Sequence, residues 1–188
     1  MKPGQLPKRP NILWICTDQQ RYDTIHCLNN PHINTPNIDR LCAEGVAFTR
    51  TYCQSPVCSP SRASFLTGLY PGYVGVNRNG LEDFPEKANV ELISARLAAA
   101  GYDCGLSGKL HIASAWNGRE KRTNDGYRDY HYSHAPMQGV DTLANDYVEW
   151  VRDSGRFDDV FDMSGYNSET HKGCTYHDNI PPELHQTT

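Results

Sequence analysis

The feature that most restricts the fold is a continuous apolar run near the start of the chain, at residues 11–17. A strand buried on both faces of a parallel sheet has this pattern, because helices cover both faces and neither face needs polar side chains. The run gives way abruptly to Asp18, Gln19, Gln20 and Arg21. We therefore predict a buried strand whose polar C-terminal edge carries ligand-binding groups, as in open α/β sheets.

Apolar spacing and turn residues predict further elements along the chain. The patterns indicate helices at 34–45, 59–68, 90–100 and 142–153, and strands at 46–52 and 102–106. Residues 70–80 are rich in glycine and are predicted to form a loop, and residues 114–140 show no periodicity. Because strands and helices alternate, the expected fold class is α/β, with a mainly parallel sheet flanked by helices. The strands are few for such a sheet, which suggests an incomplete domain.

Composition limits the classes of protein to which the chain can belong. Its 188 residues fit one domain, and a net charge of -4 argues against a basic nucleic-acid-binding surface. No stretch approaches the roughly 18 apolar residues that a membrane helix needs, and the start lacks a signal-peptide pattern. We expect a cytoplasmic protein without nucleic-acid or membrane partners. The cysteines number 7 and include no Cys-x-x-Cys pair, which indicates neither a disulfide framework nor a zinc knuckle.

The stretch most informative about chemistry is residues 58–68, with the sequence CSPSRASFLTG. Ser59 and Pro60 predict an N-cap and a first helical residue. Cys58 is therefore expected at a helix N-terminus, where amide N–H groups and the helix dipole stabilise negative charge. Arg62 lies four residues further on and would share its helix face. An ordinary buried thiol is the alternative for Cys58.

Three further side chains suit binding or catalysis. Asp18 offers a hard oxygen ligand for Ca²⁺, Mg²⁺ or Mn²⁺, although an aspartate in a turn or at an N-cap fits the pattern as well. Lys109 and His111 are two residues apart, so on an extended segment they face the same side. A surface lysine and a structural histidine are the alternative for that pair.

Taken in order, these motifs resemble the signatures of the sulfatase family. Residues 58–68 are similar to its Cys-x-Pro-Ser-Arg signature with a short helix ending in Thr-Gly, and residues 108–111 to its Gly-Lys-x-His motif. Further similar stretches are residues 10–13 with Asp18 and Gln19, residues 35–41 with Gly45 and Phe48, and Gly101 with Tyr102. The resemblance is strong over residues 9–111 and weaker beyond them.

The resemblance implies an alkaline-phosphatase-like fold and a nucleophile made from Cys58. In that family a formylglycine-generating or sulfatase-maturating enzyme oxidises the cysteine to formylglycine, an aldehyde whose hydrate attacks the sulfur of a sulfate ester. Arg62 and a metal would ionise the attacking hydroxyl, Lys109 would contact the sulfate, and His111 would contact the hydrate. Asn79 would contact the substrate, with a loop-turn asparagine as the equal alternative.

The metal ligands that the resemblance implies are Asp18, Gln19 and residue 58, with Ca²⁺ expected before Mg²⁺ or Mn²⁺. Many sulfatases have a second aspartate where this chain has Gln19, and relatives that cleave phosphonate and phosphate esters are among those with Gln. These donors are too few for a hard divalent cation, and the family's second pair of ligands has no counterpart in the sequence. Asp178-Asn179 has the residue types of that second pair but follows no apolar strand.

We therefore expect a polar lead-in over residues 1–10 and a sulfatase-type N-terminal catalytic domain over residues 11–188, truncated at its C-terminal end. The leading function is a metal-dependent sulfuric ester hydrolase that acts on a small-molecule sulfate ester. A phosphonate monoester or phosphodiester hydrolase of the same superfamily and a truncated non-catalytic module are the alternatives. Alone, the 188 residues are expected to bind metal weakly and to turn over little substrate.

Overall fold

The computed structural model describes residues 9–79, 84, 90–115, 119–134, 145–162 and 175–176. The start of the helix predicted at 142–153, the C-terminal end of the loop predicted at 70–80, and Asp178-Asn179 lie outside these residues. The chain forms two compact units, Met1–Thr49 and Arg50–Thr188.

The first unit is organised around the start of one helix, α1 (Pro36–Glu44). Two short 3-10 helices, Tyr22–Thr24 and His26–Leu28, come before it. The Thr35 hydroxyl donates to Asp39 Oδ1 at 2.9 Å, and the Cys27 amide donates to the same oxygen at 3.0 Å. A proline at the first helical position and this shared carboxylate explain why α1 begins where the sequence predicts.

The strands predicted at 11–17 and 46–52 are wrong, because neither segment is a strand. Their large apolar side chains are exposed, with Leu13 at 85% and Phe48 at 80% of full accessibility. A strand exists only as part of a hydrogen-bonded ladder, and within the described residues neither segment pairs with another strand. The polar edge at Asp18 and Gln19 therefore follows an irregular segment, and Gln19 itself adopts a left-handed backbone with φ of 56°.

The second unit contains the other elements of regular structure. Its helices are α2 (Cys58–Thr67), α3 (Pro71–Val74), α4 (Ile93–Ala99), α5 (Asp146–Asp153) and α6 (Phe157–Val160), and its strands are β1 (Gly105–Gly108), β2 (Asp129–Tyr132), β3 (Phe161–Asp162) and β4 (Thr175–Tyr176). The helices predicted at 59–68 and 90–100 are confirmed in α2 and α4, and the described part of the helix predicted at 142–153 is confirmed in α5, which begins at Asp146. The predicted loop at 70–80 is interrupted by α3, since Pro71 starts a single helical turn.

The sheet of the second unit confirms the predicted α/β class. Strands β1 and β2 run parallel, with Gly105 opposite Asp129 and Gly108 opposite Tyr132, and β3 and β4 form a separate antiparallel pair. The strand predicted at 102–106 is confirmed in part, because β1 begins and ends a few residues later. Strand β2 was not predicted, because its aromatic and charged residues lie in the stretch that was interpreted as lacking periodicity.

The main core of the second unit lies between α2, α4 and the residues that follow β1. Its buried apolar members are Ala63, Leu66, Val74, Val76, Phe84, Leu92, Ala95, Leu110 and Ile112. A smaller core of Val148, Val151, Val160 and Phe161 joins α5, α6 and β3. None of the helices that the structure describes is long and apolar enough to cross a membrane.

Candidate active site

Cys58 lies at a helix N-terminus, as the sequence predicts, and is the first residue of α2. The N-cap is Val57, with extended backbone angles (φ -102°, ψ 138°), and not Ser59 as predicted. Pro60 is accommodated in the first turn, where the amide hydrogen that proline lacks would have no partner within the helix. Because α2 begins earlier than predicted, Cys58 lies within the helix. Its side chain is therefore close to the first-turn amides and to the positive end of the helix dipole.

The side chain of Asn79 joins both polar groups at this helix terminus. Asn79 Oδ1 accepts a hydrogen bond from the Ser59 amide at 2.9 Å, and Asn79 Nδ2 donates to Cys58 Sγ at 3.0 Å. Asn79 therefore replaces the side-chain cap that Val57 cannot supply. The amide side chain is oriented by its acceptor contact, so its donor is directed at the thiol.

Arg62 links α2 to the segment that follows β1. Its side chain is buried, and its Nη1 donates to the backbone carbonyl of Lys109 at 2.5 Å. The sequence predicted that Arg62 acts on residue 58 from the same helix face. That role stays a prediction, and the hydrogen bond to Lys109 shows that Arg62 also holds α2 against the segment that follows β1.

Lys109 and His111 are both buried, but the segment that carries them is not extended. Gly108 has φ of 123° and His111 has φ of 54°, so the backbone turns sharply at the end of β1. The extended segment that the prediction for this pair assumed is therefore not found, while the roles of the two side chains stay predictions. The reason is tertiary, since bonds from elsewhere in the unit hold the amides of residues 111–113.

Glu120 supplies those bonds. Its carboxylate accepts hydrogen bonds from the amides of His111 at 2.7 Å, Ile112 at 2.6 Å and Ala113 at 2.8 Å, and its side chain is buried. Burial raises the pKa of the Glu120 carboxyl, while the amide donors and the positive charge of Arg62 act in the opposite direction. Sequence analysis missed Glu120, because a glutamate within the charged stretch 119–122 looks like a surface residue.

A second residue that sequence analysis missed is His134. The chain continues from β2 with the Ser133 amide donating to the Gly108 carbonyl at 2.9 Å, so residues after both strands lie side by side. The rings of His134 and His111 are perpendicular, with 4.4 Å between their centroids, and both residues are buried. Recognition of β2 as the parallel neighbour of β1 would have placed this histidine next to the Gly-Lys-x-His segment.

A cavity of about 300 Å³ opens beside Glu120, lined by Arg119, Glu120, Arg122 and Tyr130. Arg119 pairs with Asp146 and Arg122 with Asp125, so these positive charges have acidic partners. The Arg122 guanidinium also lies over the Tyr130 ring, at 4.2 Å from its centroid. Burial raises the pKa values of the Tyr130 and Tyr132 hydroxyls, and the negative charge of Glu120 raises them further.

Asp18 and Gln19, the predicted metal ligands, belong to the first unit. A carboxylate and an amide oxygen are the donor types that Ca²⁺, Mg²⁺ and Mn²⁺ prefer, so the pair fits a hard cation in chemistry. It does not fit in number, because such cations take about six or more oxygen ligands. No group of three or more His, Cys, Asp or Glu side chains suited to a metal occurs within the described parts of the chain. Asp18 and Gln19 can therefore supply only part of a metal site.

The second unit thus holds two groups of predicted site residues. Cys58 and Asn79 contact one another directly, while Lys109 and His111 occupy a turn fixed by Arg62 and Glu120. A thiol at a helix N-terminus, together with a lysine and two histidines, is chemically suited to an anionic substrate, because each group favours or donates to negative charge.

Comparison with known proteins identifies relatives over most of the chain. A family model described as Sulfatase matches residues 10–180. An arylsulfatase of Clostridium perfringens is 31% identical over 93% of this chain and 37% of its own length, and human arylsulfatase A is 33% identical over 70% and 27%. A solved phosphonate monoester hydrolase of Agrobacterium radiobacter has a TM-score of 0.58 and 31% identity over 80% of this chain and 30% of its own. The chain therefore spans well under half the length of these relatives.

Proposed function

The chain belongs to the sulfatase family, and from that premise we propose that it is the nucleophile-bearing part of a metal-dependent sulfuric ester hydrolase. The observation that carries this proposal is Cys58 as the first residue of α2, with Asn79 donating to its sulfur. The substrate class is a small-molecule sulfate ester. The α/β fold agrees with that of the phosphonate monoester hydrolase, which has the same arrangement over most of this chain.

In this proposal Cys58 is converted to formylglycine by a formylglycine-generating or sulfatase-maturating enzyme. Formylglycine supplies a hydrated aldehyde whose hydroxyl acts as the nucleophile toward sulfur. The chain's own groups orient residue 58 and stabilise negative charge at the site. Asn79 directs its donor at residue 58, the N-terminus of α2 favours negative charge there, and Lys109 offers a positive charge to the sulfate. His111 is assigned the proton donor or acceptor beside the nucleophile.

Asp18 and Gln19 are proposed as ligands of a divalent cation, Ca²⁺ first and Mg²⁺ or Mn²⁺ next. The cation would supply positive charge that favours an ionised nucleophile. The contribution of residue 58 as a further ligand stays a prediction. Because Asp18 and Gln19 are two donors of a larger set, the remaining ligands must come from other residues of the functional protein.

The second candidate is a phosphonate monoester or phosphodiester hydrolase. Two observations favour it: Gln19 stands where many sulfatases have a second aspartate, and the similar solved structure is a phosphonate monoester hydrolase. With an amide ligand in place of a carboxylate, the metal site carries one negative charge fewer.

The test uses the full-length protein, co-expressed with a formylglycine-generating enzyme and assayed with an aryl sulfate and a phosphonate monoester in parallel. We expect the peptide that contains residue 58 to have the mass of the aldehyde and to react with a hydrazide. Cys58→Ala should lower kcat/KM by at least about 10³-fold, because the nucleophile is removed. Cys53→Ala is the matched control, since Cys53 is an exposed free cysteine five residues earlier.

The relative rates on the two substrates decide between the two candidates. A higher kcat/KM for the sulfate ester supports the first, and a higher value for the phosphonate supports the second. An unmodified Cys58, found while the modifying enzyme converts a control peptide, would contradict the formylglycine mechanism. Wild-type rates in Cys58→Ala would contradict the role of Cys58 altogether.

A further inference from the structure

The backbone after β1 holds three consecutive amides in one direction. His111 has a left-handed backbone, with φ of 54°, and residues with a Cβ atom rarely adopt this conformation because of steric contact with the following carbonyl. In this turn the amides of His111, Ile112 and Ala113 point at one carboxylate. Successive amides arranged in this way form a concave site for an anion, which the protein fills with its own side chain.

Both oxygens of Glu120 are used in this contact. Oε2 accepts from His111, and Oε1 accepts from both Ile112 and Ala113. Glu120 retains only 3% of its accessible surface, and Ile112 is fully buried, so the contact lies in the interior of the unit. A charged acceptor that takes three amide donors holds the backbone more strongly than a neutral acceptor would.

The same segment is held from its other end by Arg62. Arg62 donates to the Lys109 carbonyl, and its positive charge also acts on Glu120. The side chain of His111 meets His134, whose ring is perpendicular to it at 4.4 Å. The backbone of His111 is therefore set by Glu120, while its ring packs against a neighbour that cannot alone determine the turn.

We infer that Glu120 is a positioning residue for His111, and that its three amide contacts fix the left-handed turn that directs the imidazole into the active site. Glu120 acts through the backbone and does not touch the substrate. The inference rests on the proposed function for its effect on catalysis. Its effect on the geometry of His111 is independent of which ester is cleaved.

The experiment compares Glu120→Gln and Glu120→Asp with the wild type in the full-length enzyme. Gln keeps the shape but turns one hydrogen-bond acceptor into a donor that faces amide donors. Asp keeps the charge but is one methylene shorter. Glu149→Gln is the matched control, because Glu149 is an exposed glutamate on α5. The steady-state kcat and KM are measured on whichever ester the wild type cleaves, and the His111 imidazole resonances are followed by NMR.

We expect Glu120→Gln to lower kcat by about 10²-fold with a far smaller change in KM, because a displaced catalytic group costs rate more than binding. Glu120→Asp should recover part of kcat. The His111 resonances should differ from those of the wild type more in Glu120→Gln than in Glu120→Asp. Glu149→Gln should match the wild type. A purely structural role would lower kcat and the folded fraction together, with no selective shift at His111. That result, or an unchanged kcat in Glu120→Gln, would overturn the inference.

A measurement on the wild type covers the case in which the Gln variant does not fold. The amides of residues 111–113 should exchange with solvent slowly, because a buried carboxylate holds them, and fast exchange at all three would overturn the inference. If the wild type cleaves neither a sulfate nor a phosphonate ester, the proposed function fails. The exchange rates and the His111 resonances then still decide whether Glu120 positions His111.

Discussion

Asn79 is the residue on which the environment of the thiol depends. Its acceptor satisfies the buried Ser59 amide, and its donor contacts Cys58 Sγ. The two contacts are separable by substitution, because Asp retains the acceptor and removes the donor, while Ala removes both. This separation gives a direct test of whether Asn79 stabilises the helix terminus, the sulfur, or both.

For Asn79→Ala we expect a loss of about 1–3 kcal/mol in the free energy of unfolding, because the Ser59 amide is left buried without its acceptor. Asn79→Asp should lose less stability but should slow alkylation of Cys58, since a negative charge beside the sulfur disfavours the thiolate. Urea denaturation and the rate of reaction with iodoacetamide, before any conversion to formylglycine, measure the two effects. Asn77→Asp, at an exposed position of the same loop, is the control.

Equal alkylation rates in Asn79→Asp and the wild type would show that the contact to sulfur has no influence on its reactivity. The role of Asn79 would then be limited to the Ser59 amide. A slow rate in Asn77→Asp as well would point to the net charge of the loop and not to the contact.

At the scale of elements, the approach of two backbones sets the position of α4. Gly126 has φ of 77°, and a Cβ atom placed there would lie 2.5 Å from Ala95 Cα and 2.7 Å from the Ser94 carbonyl oxygen. Only a residue without a side chain permits this contact. The segment that leads into β2 can therefore pack directly on α4, which contributes Leu92 and Ala95 to the core.

Gly126→Ala should lower the free energy of unfolding by about 2–5 kcal/mol, as the sum of left-handed strain and overpacking. Gly155→Ala is the matched control, because Gly155 also has a left-handed φ of 71°, but a Cβ atom placed there would meet nothing within 4 Å beyond its chain neighbours. It should lose only about 1–2 kcal/mol, from strain alone. Equal losses in the two variants, by urea denaturation, would show that the contact with α4 contributes nothing.

Helices and strands differed in how far the sequence predicted them. The helices α1, α2 and α4 were located from prolines, apolar spacing and terminal glycines, which act within a few residues. The predictions at 11–17 and 46–52 failed because an apolar run states only that a segment tends to be buried, whereas a strand also needs a paired neighbour. Strand β2 was missed for the converse reason, since its pairing with β1 is not encoded in its own polar and aromatic residues.

At the scale of the whole molecule, buried tyrosines tie stability to pH. Tyr132 is fully buried in β2, and burial together with the charge of Glu120 raises the pKa of its hydroxyl. The folded state therefore retains a proton that the unfolded chain releases near pH 10. A raised pKa of this kind contributes stability that is fully present below pH ~10 and is lost as the pH rises further.

We expect the free energy of unfolding to fall above pH ~10, by up to about 1.4 kcal/mol per pH unit for Tyr132. Tyr132→Phe should reduce this slope, because it keeps the ring and removes the ionising group. Urea denaturation between pH 8 and 11, together with phenolate absorbance, measures the effect. A Tyr132 hydroxyl that titrates near pH ~10, as in the unfolded chain, would contradict the prediction.

The sequence by itself determined the family and the α/β class, because these depend on the order of local motifs. It also placed Cys58 at a helix N-terminus, since proline and turn residues start and stop helices locally. The site residues that the sequence indicated, and their roles, stay predictions.

Only the tertiary structure decided how the second half of the site is held. Glu120 and His134 reach His111 from segments that follow β1 and β2, and Arg62 reaches Lys109 from α2. The contact of Arg62 joins residues 47 apart in the chain, and that of Glu120 spans 9 residues across different segments, so no pattern within one element records them. The left-handed backbone at His111 is disfavoured locally, and the buried Glu120 carboxylate holds the amides of this turn. That support is a property of the folded unit and not of the segment.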